Sequence, residues 1–202
     1  WNEPDAPEYW LPQDNLKAYS ALLKQVYPAI KAIDPSAQVL VGGVTKAPVF
    51  SMKKIYRLAG KDSFDIVNIH PFVNPNQENS IKELKILHTR LIKAMEFFDD
   101  GDKPIWFTEI GCPGTKPDVT IPWWFGDSPS EAQQAEHVKS VYTEALNLKG
   151  VDKIFWAFWR DTVHFRSGVD YFGLIRGDYS PKPAFDVYKS MAELRPEKIN
   201  VT

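Results

Sequence analysis

The chain has 202 residues, a length that suits one domain and buries a sizeable core, with 44% hydrophobic and 25% charged residues. Its net charge of −2, free of like-charge blocks, leaves no electrostatic footprint for nucleic acid or an anionic membrane, and no apolar run approaches the ~20 residues of a membrane span. One cysteine, Cys112, excludes an intrachain disulfide and a cysteine-built metal centre.

The chain opens on Trp1-Asn2-Glu3-Pro4. Helical spacing then governs residues 14–33, with Leu16, Tyr19, Leu23, Val26, Ile30 and Ile33 in phase and Asp14 as N-cap. Asp34-Pro35-Ser36 breaks the pattern. QVLVGGV, residues 38–44, reads as a buried strand ending in glycines. A weaker helix follows at 50–59, and FDIVNIHPF at 64–72 is the next strand. Residues 80–98 form a strong helix. Ser80 and Glu83 make its capping box, and Ile81, Leu84, Leu87, Leu91, Met95 and Phe98 its apolar stripe. KPIWFTEIG, 103–111, is a strand. A proline-punctuated loop leads to a helix at 130–148, for which Ser128-Pro129-Ser130-Glu131 predicts a second capping box with Pro at the first helical position. KIFWAFWRD, 153–161, is the last strand, 162–180 a loop, and 183–194 the closing helix. Apolar strands joined by helical crossovers predict a parallel sheet covered by helices.

Two carboxylates stand apart from the surface acids: Glu3, and Glu109 at the C-terminal end of an apolar strand, where parallel α/β folds place their sites. Taken singly, each could be a buried structural Glu paired with a cation. Together, WNEP and a strand ending in TE, with two β-α units between, resemble the retaining glycoside hydrolases of the (β/α)8 clan A. The resemblance implies an α/β fold, the C-terminal part of a TIM barrel from the end of strand four through strand eight. Residues 38–44, 64–72 and 104–111 would be strands five to seven, and the Glu3–Glu109 separation of 106 residues fits such units. The whole chain, 1–202, would then be the C-terminal portion of one barrel domain, with the N-terminal half of the barrel as its missing partner.

The same resemblance assigns roles: Glu3 as acid/base, Glu109 as nucleophile, and Asn2 as a hydrogen-bond partner of the sugar 2-hydroxyl. His70 resembles the clan's His-x-Tyr element, with Phe72 where the Tyr would stand; a core histidine satisfied by backbone is the alternative. The strand FWAFWRD resembles the one that floors the catalytic subsite. Alternation puts Trp156, Phe158 and Arg160 on one face and Phe155, Ala157, Trp159 and Asp161 on the other. Trp159, nearer the C-terminal end, is favoured over Trp156 as the sugar platform, and Arg160-Asp161 reads as a rim salt bridge. Trp123 and Trp124, in the loop after the nucleophile strand, either stack on flanking sugars or pin the loop down.

The implied substrate is a carbohydrate, and the double displacement needs no cofactor or metal. His70, His88, His137 and His164 lack metal-ligand spacing, and His88 and His137 read as surface helix residues or supports. Glu109 must be ionised, while Glu3 must hold its proton, favoured by the Glu109 charge and by apolar walls such as Trp1. Family 39-like enzymes are the first reading; a family 5 endo-glucanase or mannanase, and a non-catalytic carbohydrate-binding barrel or inactive fragment, are the alternatives. The compartment stays open.

Overall fold

The fold is that of a computed structural model, which describes residues 1–10, 15–114, 128–162 and 169–193. The helices are α1 (Asn15–Ile33), α2 (Pro48–Ala59), α3 (Ser80–Phe97), α4 (Glu131–Ala145) and α5 (Pro183–Glu193). The strands are β1 (Val67–Ile69), β2 (Ile105–Ile110) and β3 (Val151–Trp156), all parallel, in sheet order β1-β2-β3. Helices separate consecutive strands, as parallel pairing requires. The chain divides into two compact units: 1–72, 82–110 and 145–156, and 73–81, 111–144 and 157–202.

The first unit holds the sheet. Its core forms where the strands and the helical stripes bury Ile66, Ile69, Leu84, Leu91, Ile105 and Phe107 completely. The predicted strand 38–44 is instead an irregular edge, joined to the β1 region by single parallel bridges, Leu40 to Ile66 and Val44 to Ile69. The physical reason lies in Gly42-Gly43, which bring the backbone too close to its neighbours for a regular ladder: a Cβ on Gly42 would lie 2.4 Å from the Trp1 carbonyl oxygen. The stripe of α1 is also shorter than its periodicity suggests. Leu16, Tyr19 and Leu23 are buried, while Val26 is exposed and Ile33 is 89% exposed. Beyond the internal Pro28, a polar clasp replaces apolar packing: Tyr27 Oη donates to Asp65 at 2.8 Å and Lys31 pairs with it at 2.9 Å. Of the two readings of His88, surface residue or support, the first falls: it is buried, and its Nε2 lies 2.8 Å from the Lys149 carbonyl oxygen.

In the second unit, the N-cap of α4 lies two residues later than predicted, at Ser130 in place of Ser128. Its capping box is Ser130–Gln133: the Gln133 N–H donates to Ser130 Oγ at 3.2 Å, and the Ser130 N–H to Gln133 Oε1 at 2.8 Å. Glu131, the expected box partner, is drawn instead to Arg176, whose Nε donates to it at 2.8 Å. His137 is buried rather than on the surface. The predicted strand 153–161 stops at Trp156, because the Trp159 carbonyl takes the N–H groups of Leu174 and Ile175, at 3.0 and 3.1 Å, and Arg160 bridges to Ile175. The alternation assigned to Trp156 through Asp161 therefore does not run on to Trp159. Nor do Arg160 and Asp161 pair: Arg160 lies over the Tyr179 ring at 4.5 Å, and Asp161 holds Lys182 at 2.8 Å.

The Lys182 ammonium also donates to the Tyr171 carbonyl at 2.9 Å, and its side chain is fully buried. Burial pushes the Asp161 carboxyl up and the Lys182 ammonium down, each against the opposing pull of its partner. Desolvation thus outweighs attraction, so the pair itself adds little, yet breaking it strands a charge. Lys182→Met should lower stability by about 3–5 kcal/mol in chemical denaturation. The double change to Asp161→Asn with Lys182→Met should recover part of that loss.

Candidate active site

The opening segment is a compact turn. The Ala6 N–H donates to the Glu3 carbonyl at 2.9 Å, and Trp1 Nε1 donates to the Tyr9 carbonyl at 3.0 Å. Trp1 meets Trp10 edge-on at 4.8 Å, and Trp10 meets Tyr19 of α1 at 6.1 Å. Asp5 fastens the segment to α2 and the residues before it: it accepts the Thr45 N–H at 3.1 Å and the Ser51 hydroxyl at 2.8 Å. Glu3 is buried in this turn with φ of +41°, a left-handed conformation that costs a non-glycine residue about 1–3 kcal/mol. Asn2 beside it is exposed. Trp1 is 71% exposed, so it is not the apolar wall of Glu3 that the sequence suggested.

His70 follows β1, and Glu109 lies in β2. The His70 side chain is only 1% exposed; its Nδ1 is 2.9 Å from Glu3 Oε1 and 3.8 Å from Glu109 Oε2. Its Nε2 is 2.9 Å from Thr108 Oγ1. The core-histidine alternative is thereby replaced by a histidine bonded to side chains. Ideal alternation would point Thr108 and Glu109 to opposite faces. A bulge in β2 prevents this: Phe107 pairs with Ile154 and Ile110 with Trp156, so three steps on β2 match two on β3. Both consecutive residues consequently reach the same imidazole. Gly43 leaves the ring its space, since a Cβ there would lie 2.0 Å from Nε2.

Electrostatically, burial is the main cause that pushes the Glu109 carboxyl up; the Glu3 charge adds to it and His70 opposes it. The phenol of Tyr9 is also pushed up, first by burial and then by the Glu3, Glu109 and Glu8 charges. One ligand atom each from Glu3, His70 and Glu109 lies within 4.8 Å of the others, a donor set able to hold a divalent cation. The spacing of histidines along the sequence gives no sign of this set, because its carboxylates come from remote segments.

The structure thus brings Glu3, Glu109 and His70 together. Trp156 is buried at the strand end opposite Ile110, the residue after Glu109. Trp159 belongs to the second unit, where it is 58% exposed and meets Phe185 edge-on at 5.8 Å. Trp123 and Trp124 lie outside the described residues, as do Asp14 and His164. Phe72, at the expected Tyr position, meets His70 edge-on at 6.4 Å. Sequence reasoning passed over Asn68, Thr108, Gly43 and Tyr9. Asn68 was detectable as a polar residue two places before His70 in an otherwise apolar strand.

No family model matches the chain, and no curated protein sequence matches it. Among solved structures, the fold is similar to a family 39 glycoside hydrolase from Xanthomonas axonopodis pv. citri, at 19% identity and TM-score 0.68, covering 96% of this chain and 40% of that one. It is similar to a family 39 glycoside hydrolase from the gut symbiont Bacteroides cellulosilyticus WH2, at 24% identity and TM-score 0.69, with the same coverage. A monomeric β-xylosidase from Caulobacter crescentus CB15 matches at 21% identity and TM-score 0.64, over 95% of this chain and 40% of that one. The chain therefore has the fold of part of these proteins and spans about 40% of their length.

Two outcomes follow from this geometry. Gly43→Ala should displace the His70 ring and cost about 1–3 kcal/mol of stability, read by denaturation and by a shift of the His70 imidazole resonances. Glu109, held up by burial and by Glu3, should titrate above the ordinary glutamate value of about 4.3. The folded chain then binds that proton more tightly than the unfolded one. The group's contribution to stability is full below the ordinary value and is lost as pH rises through the raised one. Carboxyl 13C titration should place Glu109 above the free amino acid, and Glu3→Gln should bring it down.

Proposed function

We propose that the chain carries the catalytic pair of a retaining glycoside hydrolase, family 39-like, acting on β-linked oligo- or polysaccharides. The observation that carries this reading is the gathering of the Glu3 and Glu109 carboxylates, with their ligand atoms within 4.8 Å, about a buried imidazole. Retaining enzymes hold their two carboxyl groups ~5–5.5 Å apart, whereas inverting ones leave ~6.5–9.5 Å for a water. Single oxygens of the two groups that approach within 4.8 Å are in keeping with the closer arrangement, in which one carboxylate attacks directly. The naming of one similar structure as a β-xylosidase supports the β-linkage.

In the first step, Glu109 attacks the anomeric carbon while the proton of Glu3 passes to the departing glycosidic oxygen. A covalent glycosyl ester and a free Glu3 carboxylate result. Esterification cancels the Glu109 charge, so Glu3 is free to take a proton from water. That water adds to the anomeric carbon, Glu109 leaves as a carboxylate, and both groups return to their starting state. Asn2 supplies the contact to the 2-hydroxyl, and Trp156, at the strand end opposite Ile110, a stacking surface for a sugar face.

Aryl β-glycosides test the roles. Glu109→Ala should abolish turnover, and azide should restore part of it by taking the carboxylate's place. Glu3→Gln should spare the first step for good leaving groups and slow it for poor ones by about 10²–10⁴-fold. Uniform loss over all leaving groups would remove Glu3 from the acid role, and binding of oligosaccharide without turnover in the intact chain would favour a non-catalytic carbohydrate-binding protein.

A further inference from the structure

The proton positions around His70 follow from which atoms are able to donate. The Thr108 backbone N–H lies 3.3 Å from the side-chain Oδ1 of Asn68. A backbone N–H only donates, so the Asn68 atom that faces it is the carbonyl oxygen, not the amide nitrogen. The Thr108 hydroxyl sits 2.9 Å from that same oxygen. Because Oδ1 bears no hydrogen, the hydroxyl donates to it. Having used its one proton, Thr108 Oγ1 presents only lone pairs to His70 Nε2 at 2.9 Å. Nε2 therefore carries a hydrogen and donates it.

The other ring nitrogen, Nδ1, faces Glu3 Oε1 at 2.9 Å. With Nδ1 bare, the Glu3 carboxyl is the donor; with Nδ1 protonated, the imidazolium donates to the Glu3 carboxylate. Both arrangements place one proton on the Nδ1–Oε1 line, and losing it leaves two lone pairs opposed at hydrogen-bond distance. Among the described residues, Glu109 Oε2, at 3.8 Å from Nδ1, is the other charged group facing the ring. Tyr9 is a further titratable group, its phenol lying in the field of both carboxylates.

We propose that Asn68 and Thr108 are positioning residues that lock His70 in its Nε2–H form, so that Glu3 and His70 hold a single proton in common. The catalytic consequence rests on the glycosidase reading above: the common proton is the one delivered to the leaving oxygen. When it departs, the C1–O bond to the leaving group breaks, the C1–O bond to Glu109 forms, and Glu3 and neutral His70 remain. Attack by water in the second step returns a proton to the same line. The burial of Asn68 and the bulge that turns Thr108 toward His70 give this part of the fold a purpose that a plain parallel ladder would not serve.

The tautomer is directly measurable in the full chain by 15N imidazole NMR, with no dependence on turnover. The 15N shift of Nε2 should be that of a protonated ring nitrogen. A neutral His70 protonated on Nδ1 and bare on Nε2 would overturn the proposal. Thr108→Val, close to isosteric but unable to accept, should give a mixture of tautomers, whereas Thr108→Ser should restore the single Nε2–H form. An unchanged single tautomer in Thr108→Val would remove Thr108 from this role. Against aryl β-glycosides, Thr108→Val should lower kcat about tenfold or more, a share of what acid–base help supplies, with KM little altered. The expected tautomer in a chain that hydrolyses no glycoside would uphold the proton relay and sink the glycosidase reading, so the two fail separately.

Discussion

The contact between the His70 imidazole and the Glu3 carboxylate is the constraint from which the rest of the first unit can be understood. A carboxylate taken from water needs a partner, and an isolated one would cost far more than the fold can supply. Here the partner is a ring with 1% of its surface exposed, itself pinned from the opposite side by Thr108. Room for that ring exists only because residue 43 has no side chain. Access of Glu3 to the ring exists only because Trp1–Trp10 folds as a tied turn, held by Asp5 to Thr45 and Ser51. Within the irregular edge at 40–44, Gly43 is the position that makes space for the imidazole.

The electrostatics have the same centre. Two carboxylates this close resist joint ionisation, and His70 moderates the conflict without removing it, since burial and Glu3 still hold Glu109 up. For a nucleophile, a raised pKa looks like a handicap. On the proposed double displacement it would also be a driving force, since forming the ester would take one negative charge away from a crowded, buried cluster. The Asp161–Lys182 pair offers a contrast. It too is buried with desolvation dominating, but its ammonium finds three fixed acceptor contacts and its geometry is closed. A closed pair of that kind supports structure, whereas the half-open group at Glu109, with 29% of its side chain exposed, retains access for chemistry.

Where the sequence is locally regular, it reads reliably. The stripe of α3 holds at Leu84, Leu91 and Met95, which are fully buried, while Ile81 and Leu87 are half-buried and Phe98 lies past the helix end. The apolar runs at 64–72 and 103–111 contain β1 and β2, and Glu109 falls near a strand end as the pattern required. What escapes is whatever depends on two segments at once. A bulge is invisible in IWFTEI because it exists only relative to β3. The capping box moves to Ser130–Gln133 because Arg176, 45 residues away, competes for Glu131. Lys182 as the partner of Asp161 could not be guessed while Arg160 stood next to it in sequence.

These departures from local rules are not scattered. Among the described residues, three non-glycine residues have left-handed backbone: Glu3, Asp99 and Tyr179. Asp99 ends the turn after α3, its N–H bonded to Glu96, and Tyr179 sits in the turn that links Arg176 to Ser180. Each is an exposed or loosely held turn residue whose conformation joins two elements. Glu3 also begins a turn, yet it is the one of the three with a buried, hydrogen-bonded carboxyl. A glycine would satisfy that backbone without strain. The turn alone therefore does not explain a glutamate there; the side chain must be needed where the backbone delivers it. Glu3, the β2 bulge and Gly43 each violate a simple rule, and all three converge on one ring. Such agreement among independent local costs is what a functional site, rather than a packing accident, leaves in a fold.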